Sequence, residues 1–188
     1  RTQYSGDLIH SRLIDFVKKC SEESKSDKKP FFIYYAMTLP HAEMAAPEEA
    51  IAEFGDKFAP ELEFKGKPKE LYGAQKKPRS AFAAMMKRID GYVGDSVKTL
   101  RDCRGLDNTI IFVTSDNGAH CEGGHDPVYW NSNGDFRGIK RDLYEGGIRV
   151  PMIVYWKGRL QKSETGHISA FWDIMPTLKD ISGANFNT

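Results

Sequence analysis

The sequence predicts an α/β protein, a mostly parallel sheet flanked by helices, within a single domain spanning residues 1–188. Two short apolar runs, Phe31–Ala36 (FFIYYA) and Thr109–Thr114 (TIIFVT), are rich in aromatic and β-branched residues and read as buried strands. Between them Phe82, Met85, Met86, Ile89, Val93, Val97 and Leu100 recur at intervals of three and four, the stripe of a long helix. Strand, excursion, helix and strand is the order of a crossover unit in a parallel sheet.

The elements follow in order. Leu8, Ile9, Leu13, Ile14, Phe16 and Val17 fall at helical spacing, and the polar run SEESKSDKKP ends that helix. Pro30 and Pro40 bound the first strand, which runs directly into Thr38-Leu39-Pro40-His41. Residues 42–78 hold Pro47, Pro60, Pro68 and Pro78 among Lys65, Lys67, Lys69, Lys76 and Lys77, a surface excursion with short helical pieces. The long helix starts near Arg79, and Gly105-Leu106-Asp107-Asn108 closes it. Residues 115–147, rich in Gly, Asn and Asp, are too long for a simple connection and read as functional. Ile148–Trp156 resumes strand character, and residues 168–182 form a helix with Pro176 near its start and Gly183 as its stop.

Composition narrows the function. Lys and Arg total 27 against 26 Asp and Glu, so the net charge of +1 argues against nucleic-acid binding through bulk charge. No apolar run approaches the roughly 18–20 residues that span a bilayer, and RTQYSGDLIH has no signal-peptide pattern. A membrane partner is therefore not expected. Cys20, Cys103 and Cys121 are too few and too irregularly spaced for a disulfide scaffold, and they leave the compartment open.

Chemistry concentrates at strand ends. Ser115-Asp116-Asn117-Gly118 follows the second strand, where ligands bind in open α/β sheets. Asp116 supplies a carboxylate and Asn117 a carbonyl oxygen, hard ligands suited to Ca²⁺ or Mg²⁺, although Asp-Asn-Gly is also an ordinary turn. His41 follows Pro40 at the end of the first strand and can give a proton or hold an anion. Lys140, in Arg137-Gly138-Ile139-Lys140, can hold an oxyanion as a point charge, while Arg137 reads as solvated loop charge. His120, Cys121 and His125 invite a zinc reading, but no fourth ligand at suitable spacing completes it. Met85 and Met86 belong to a core face.

Read in order, FFIYYAMTLPH, RIDGYVGDSVKTL, LDNTIIFVTSDNGAH, RGIKRDLYEGGIRVPMIVYW and DIMPTL resemble the sulfatase family of the alkaline-phosphatase-like superfamily over nearly the whole chain. Arylsulfatases acting on sulfated sugars or glycans look nearest. The resemblance implies sulfate-ester hydrolysis in a calcium site with a formylglycine nucleophile. It implies that Asp116 and Asn117 are two of the calcium ligands, that His41 contacts the ester near its leaving oxygen, and that Lys140 binds the sulfate. Glu145, Gly146 and Gly147 would shape the backbone beneath.

The nucleophile's C/S-x-P-x-R motif and an Asp-Asp ligand pair are not found in residues 1–188. The expectation is a central to C-terminal portion of a sulfatase catalytic domain, inactive alone, with the formylglycine segment upstream. The alternatives are a phosphodiesterase of the same superfamily and a non-catalytic module that binds sulfated glycans. A sulfated small molecule or glycan is the expected partner, and a sheet edge could pair with a second copy. The resemblance implies a periplasmic, extracellular or lysosomal setting.

Overall fold

A computed structural model of the chain describes residues 3–66 and 71–185. Lys67, Pro68 and Lys69, part of the predicted lysine-rich excursion, lie outside the described residues. The chain divides into two compact units, Arg1–Gly158 and Arg159–Thr188.

The larger unit is built on two long helices that pack together, α1 (Ser5–Asp27) and α3 (Pro78–Asp102), with the short helix α2 (Glu48–Ala52) also against α3. The predicted stripe faces inward: Met85 and Leu100 are buried and Phe82, Ile89 and Val97 pack beside them, while Met86 falls off the stripe and is exposed. Two apolar clusters result. Leu39, Met44, Ala81, Met85 and Tyr92 form the first. Val17, Leu100 and Leu106 form the second, with Phe31, Ile33 and Ile111 against it. Each large side chain so buried contributes about 1.5–3 kcal/mol.

One carboxylate pairs polar groups across the helix seam, as burial favours. Asp7 accepts the Tyr92 hydroxyl at 2.5 Å and an Arg88 guanidinium N–H at 3.0 Å. Burial and this carboxylate push the Tyr92 phenol up. The N-terminus of α3 is capped from outside the helix. Glu61 accepts the amides of Arg79 at 2.9 Å and Ser80 at 3.1 Å, which satisfies two orphan donors and sets a negative charge at the positive end of the dipole.

Two strand expectations are corrected. The segment Phe31–Ala36 is extended, and its exposure alternates, with Phe31, Ile33 and Tyr35 half-buried and Phe32, Tyr34 and Ala36 exposed. Its period of two is that of a strand, yet no strand among the described residues pairs with it. A ladder needs a partner brought from elsewhere in the chain, which periodicity does not specify.

The sheet among the described residues has two strands, β1 (Ile110–Thr114) and β2 (Met152–Trp156), and they run antiparallel from Ile110↔Trp156 to Thr114↔Met152. The expected mostly parallel sheet is not found here. Parallel pairing needs a crossover long enough to return the chain along the sheet. The only helix between β1 and β2 among the described residues is the single turn α4 (Glu145–Ile148), so the chain re-enters at the end where it left. The Thr114 hydroxyl closes that end on the Pro151 carbonyl at 2.9 Å. Met152, Ile153, Val154 and Tyr155 remain exposed.

The smaller unit holds a 3-10 turn, Phe171–Asp173, and helix α5 (Ile174–Ser182), which ends just before Gly183 as predicted. Asp173 accepts the Ala170 amide at 2.8 Å and starts the turn. Among the described residues no helix is long and apolar enough to cross a membrane.

Candidate functional site

Asp116 and Asn117 stand at the end of β1, in a turn that the Ser115 hydroxyl closes on the Asn117 carbonyl at 3.1 Å. Asp116 is exposed, and its carboxylate has no hydrogen bond or ion pair among the described residues. The Asn117 amide nitrogen donates to the Gly118 carbonyl at 3.2 Å, leaving the side-chain oxygen available as an acceptor. Two adjacent residues therefore offer hard oxygen donors without a partner among the described residues. They fit a hard cation such as Ca²⁺ as part of a shell, because the ion takes about six to eight oxygens. Among the described residues no group of three or more His, Cys, Asp or Glu is placed to hold a metal ion.

Backbone contacts lock this turn to the segment carrying Lys140. Gly118 N–H donates to the Gly147 carbonyl at 2.9 Å, Gly146 N–H to Arg137 at 2.8 Å, and Lys140 N–H to Ala119 at 2.7 Å. The approach is too close for side chains: a Cβ on Gly118 would lie 1.9 Å from the Gly146 oxygen, and one on Gly146 would lie 2.2 Å from the Gly138 oxygen. Gly146 and Gly147 thus shape the backbone under the turn. The half-buried Lys140 makes no ion pair among the described residues, which leaves its ammonium available to an anion. Arg137, read as solvated loop charge, is exposed and stacks on Tyr144 at 3.9 Å.

His41 sits in the Thr38–His41 turn, where its amide donates to the Thr38 carbonyl at 3.0 Å. The exposed ring has Nδ1 2.6 Å from the Ala42 carbonyl, so Nδ1 carries a proton, while Nε2 has no hydrogen-bond partner among the described residues. Its neighbour is His120, with ring centroids 5.8 Å apart. His120 is buried, and it accepts the Glu122 amide on Nδ1 at 3.0 Å while Nε2 lies 3.4 Å from the Pro40 carbonyl. Burial lowers the His120 pKa, and the charges of His41 and Lys140 push the same way against the Pro40 contact and Glu122. Glu122 is held ionised by Arg141 at 2.5 Å. Behind His120, His125 is buried between it and Phe82, at 4.9 Å and 4.2 Å, and burial pushes its pKa down to about 4.

The structure thus sets the His41 ring beside His120, binds the Lys140 backbone to Ala119 next to it, and ties Asp116 and Asn117 to the Lys140 segment through the backbone. His120 itself did not stand out as a site residue when read only as a zinc ligand. Its position directly after the strand-end turn SDNGA was the available signal.

The family model described as Sulfatase matches residues 4–184. The chain belongs to the sulfatase family. This sulfatase chain is 28% identical over 171 residues to N-acetylgalactosamine-6-sulfatase of Canis lupus familiaris, covering 90% of the chain and 27% of that protein. It is 35% identical over 111 residues to steryl-sulfatase of Rattus norvegicus, covering 57% of the chain and 19% of that protein. The crystal structure of Ps i-CgsB in complex with k-i-k-neocarrahexaose superposes with a TM-score of 0.77 at 29% identity, covering 100% of the chain and 36% of the other. The matched part of the sulfatase chain thus spans from about a fifth to just over a third of the length of these relatives.

Proposed function

We propose that this chain forms the anion-holding and proton-donating part of a calcium-dependent sulfuric ester hydrolase acting on a sulfated sugar or glycan. The observation that carries the reading is an exposed His41, whose Nδ1 is engaged by the Ala42 carbonyl, together with a Lys140 that makes no ion pair among the described residues, both acting on one buried histidine. The saccharide complexed with Ps i-CgsB and the N-acetylgalactosamine-6-sulfatase relative support the glycan class.

The chemistry follows from charge. As the sulfur–oxygen bond to the alcohol breaks, negative charge collects on the leaving oxygen and on the sulfate oxygens. His41 in its cationic form donates its Nε2 proton to the leaving oxygen while Nδ1–H stays on Ala42. Lys140 takes the charge on the sulfate oxygens as a compact cation. Asp116 and Asn117 would hold calcium, which when bound neutralises sulfate charge from another side. The nucleophile is formylglycine from a C/S-x-P-x-R segment, which residues 1–188 do not contain.

Two assays with 4-nitrophenyl sulfate test this. The 188-residue chain alone is expected to show no turnover, and the native polypeptide carrying it is expected to show calcium-dependent turnover that Lys140→Ala reduces at least a hundredfold. Turnover by the chain alone would place the nucleophile among these residues. A native polypeptide that binds a sulfated oligosaccharide without cleaving it, or prefers a phosphodiester, would replace the proposal with one of the two alternatives.

A further inference from the structure

We propose that His120 is the positioning residue of His41, its Nε2–H holding the Pro40 carbonyl so that the neighbouring imidazole is presented in one orientation and one tautomer. The inference rests on the reading of His41 as the proton donor. His120 Nδ1 accepts the Glu122 amide at 3.0 Å, so the proton of the neutral ring resides on Nε2, the atom 3.4 Å from Pro40. The backbone at both ends fixes where this ring stands. Ala119, the residue before it, receives the Lys140 amide at 2.7 Å. Gly123, just beyond Glu122, adopts φ +62 and packs so closely on the His41 loop that a Cβ would meet Ala42 at 3.0 Å.

One imidazole therefore links the turn that carries His41 to the segment that binds Lys140. Its burial favours the neutral ring, and with Nδ1 engaged by the Glu122 amide the donor on Pro40 stays on Nε2. The His125 ring lies 4.9 Å from it, itself packed on Phe82 at 4.2 Å.

Two substitutions separate positioning from simple packing. Gln at 120 can keep a donor near the Nε2 position, whereas Asn can keep an acceptor near Nδ1 and loses the donor to Pro40. With ring-¹⁵N histidine in the 188-residue chain at pH 8, His120 is expected as the Nε2–H tautomer and His41 as a single Nδ1–H tautomer. His120→Gln is expected to retain the His41 pattern and His120→Asn to average it. In the native polypeptide, His120→Asn should lower kcat for 4-nitrophenyl sulfate at least tenfold with KM within twofold, and His120→Gln should stay within threefold of wild type. An Nδ1–H tautomer at His120, read on the unsubstituted chain, overturns the proposal even where a variant fails to fold. An unchanged His41 pattern in a folded His120→Asn chain also overturns it. If the native polypeptide has no sulfatase activity, the proton-donor reading fails while the ring signatures still decide the positioning.

Discussion

The Gly118 amide meets the Gly147 carbonyl at 2.9 Å, and this bond joins the turn carrying Asp116 and Asn117 to the helix turn after Lys140. A methyl group on Gly118 would stand 1.9 Å from the backbone oxygen of Gly146, which cannot swing aside as a flexible side chain would. Gly118→Ala is therefore expected to destabilise the chain by about 3 kcal/mol, the upper part of the range for overpacking. Urea denaturation of the two proteins measures it, and equal midpoints would mean that the junction yields.

Asp116 is exposed and has no partner among the described residues, so its removal should leave the fold within about 0.5 kcal/mol of the original. In the native polypeptide, Asp116→Ala is nonetheless expected to abolish calcium-dependent sulfatase activity. The 188-residue chain, with two of the oxygens the ion needs, is expected to bind Ca²⁺ no tighter than about 10⁻⁴ M by calorimetry. Full activity of the variant would remove Asp116 from the metal site.

His125 gives the chain a pH-dependent stability. Its folded pKa of about 4 lies below the 6.5 of an exposed imidazole, so between these values the unfolded chain binds more protons. The contribution is fully present above about pH 6.5 and is lost as pH falls towards 4, up to about 3 kcal/mol. Urea midpoints should fall between pH 7 and pH 4.5, and His125→Phe should flatten that fall. An equal slope in the variant would assign it to other groups.

Glu61 caps α3 from a loop, accepting the Arg79 and Ser80 amides. Glu61→Ala should cost about 1–2 kcal/mol, as other lost N-caps do. Thermal denaturation of the variant tests this, and an unchanged midpoint would show that water replaces the carboxylate at no cost.

What the sequence makes legible here is what local periodicity encodes. The stripe of α3, the run of β1 and the stop of α5 at Gly183 all depend on residues a few places apart, and each appears close to its predicted span. Helix α1 instead continues through the polar run SEESKSD, predicted to end it, as far as Asp27, because charged and polar residues such as Glu and Lys sit well on an exposed helix face. The Phe31–Ala36 run carries the alternation of a strand without a ladder, because pairing is settled by distant segments. The antiparallel direction of β1 and β2 likewise depends on how the long segment between them returns. At the site, Asp116, Asn117, His41 and Lys140 stand out as residue types with chemistry of their own. His120 acts through two backbone groups, Pro40 and Glu122, which carry no side-chain signature in the sequence.

Helix α3 reaches both apolar clusters, through Ala81, Met85 and Tyr92 at one end and Leu100 at the other. The first cluster includes Leu39 and Met44, on either side of His41, and Ile111 of β1, the strand leading to Asp116, packs on the second. At about 1.5 Å per residue its 25 residues make a spar of about 37 Å. The spacing of the proposed proton donor and the proposed cation ligand thus rests in part on one rod, and a bend or fray in that rod would detune the site from a distance without touching a residue in it.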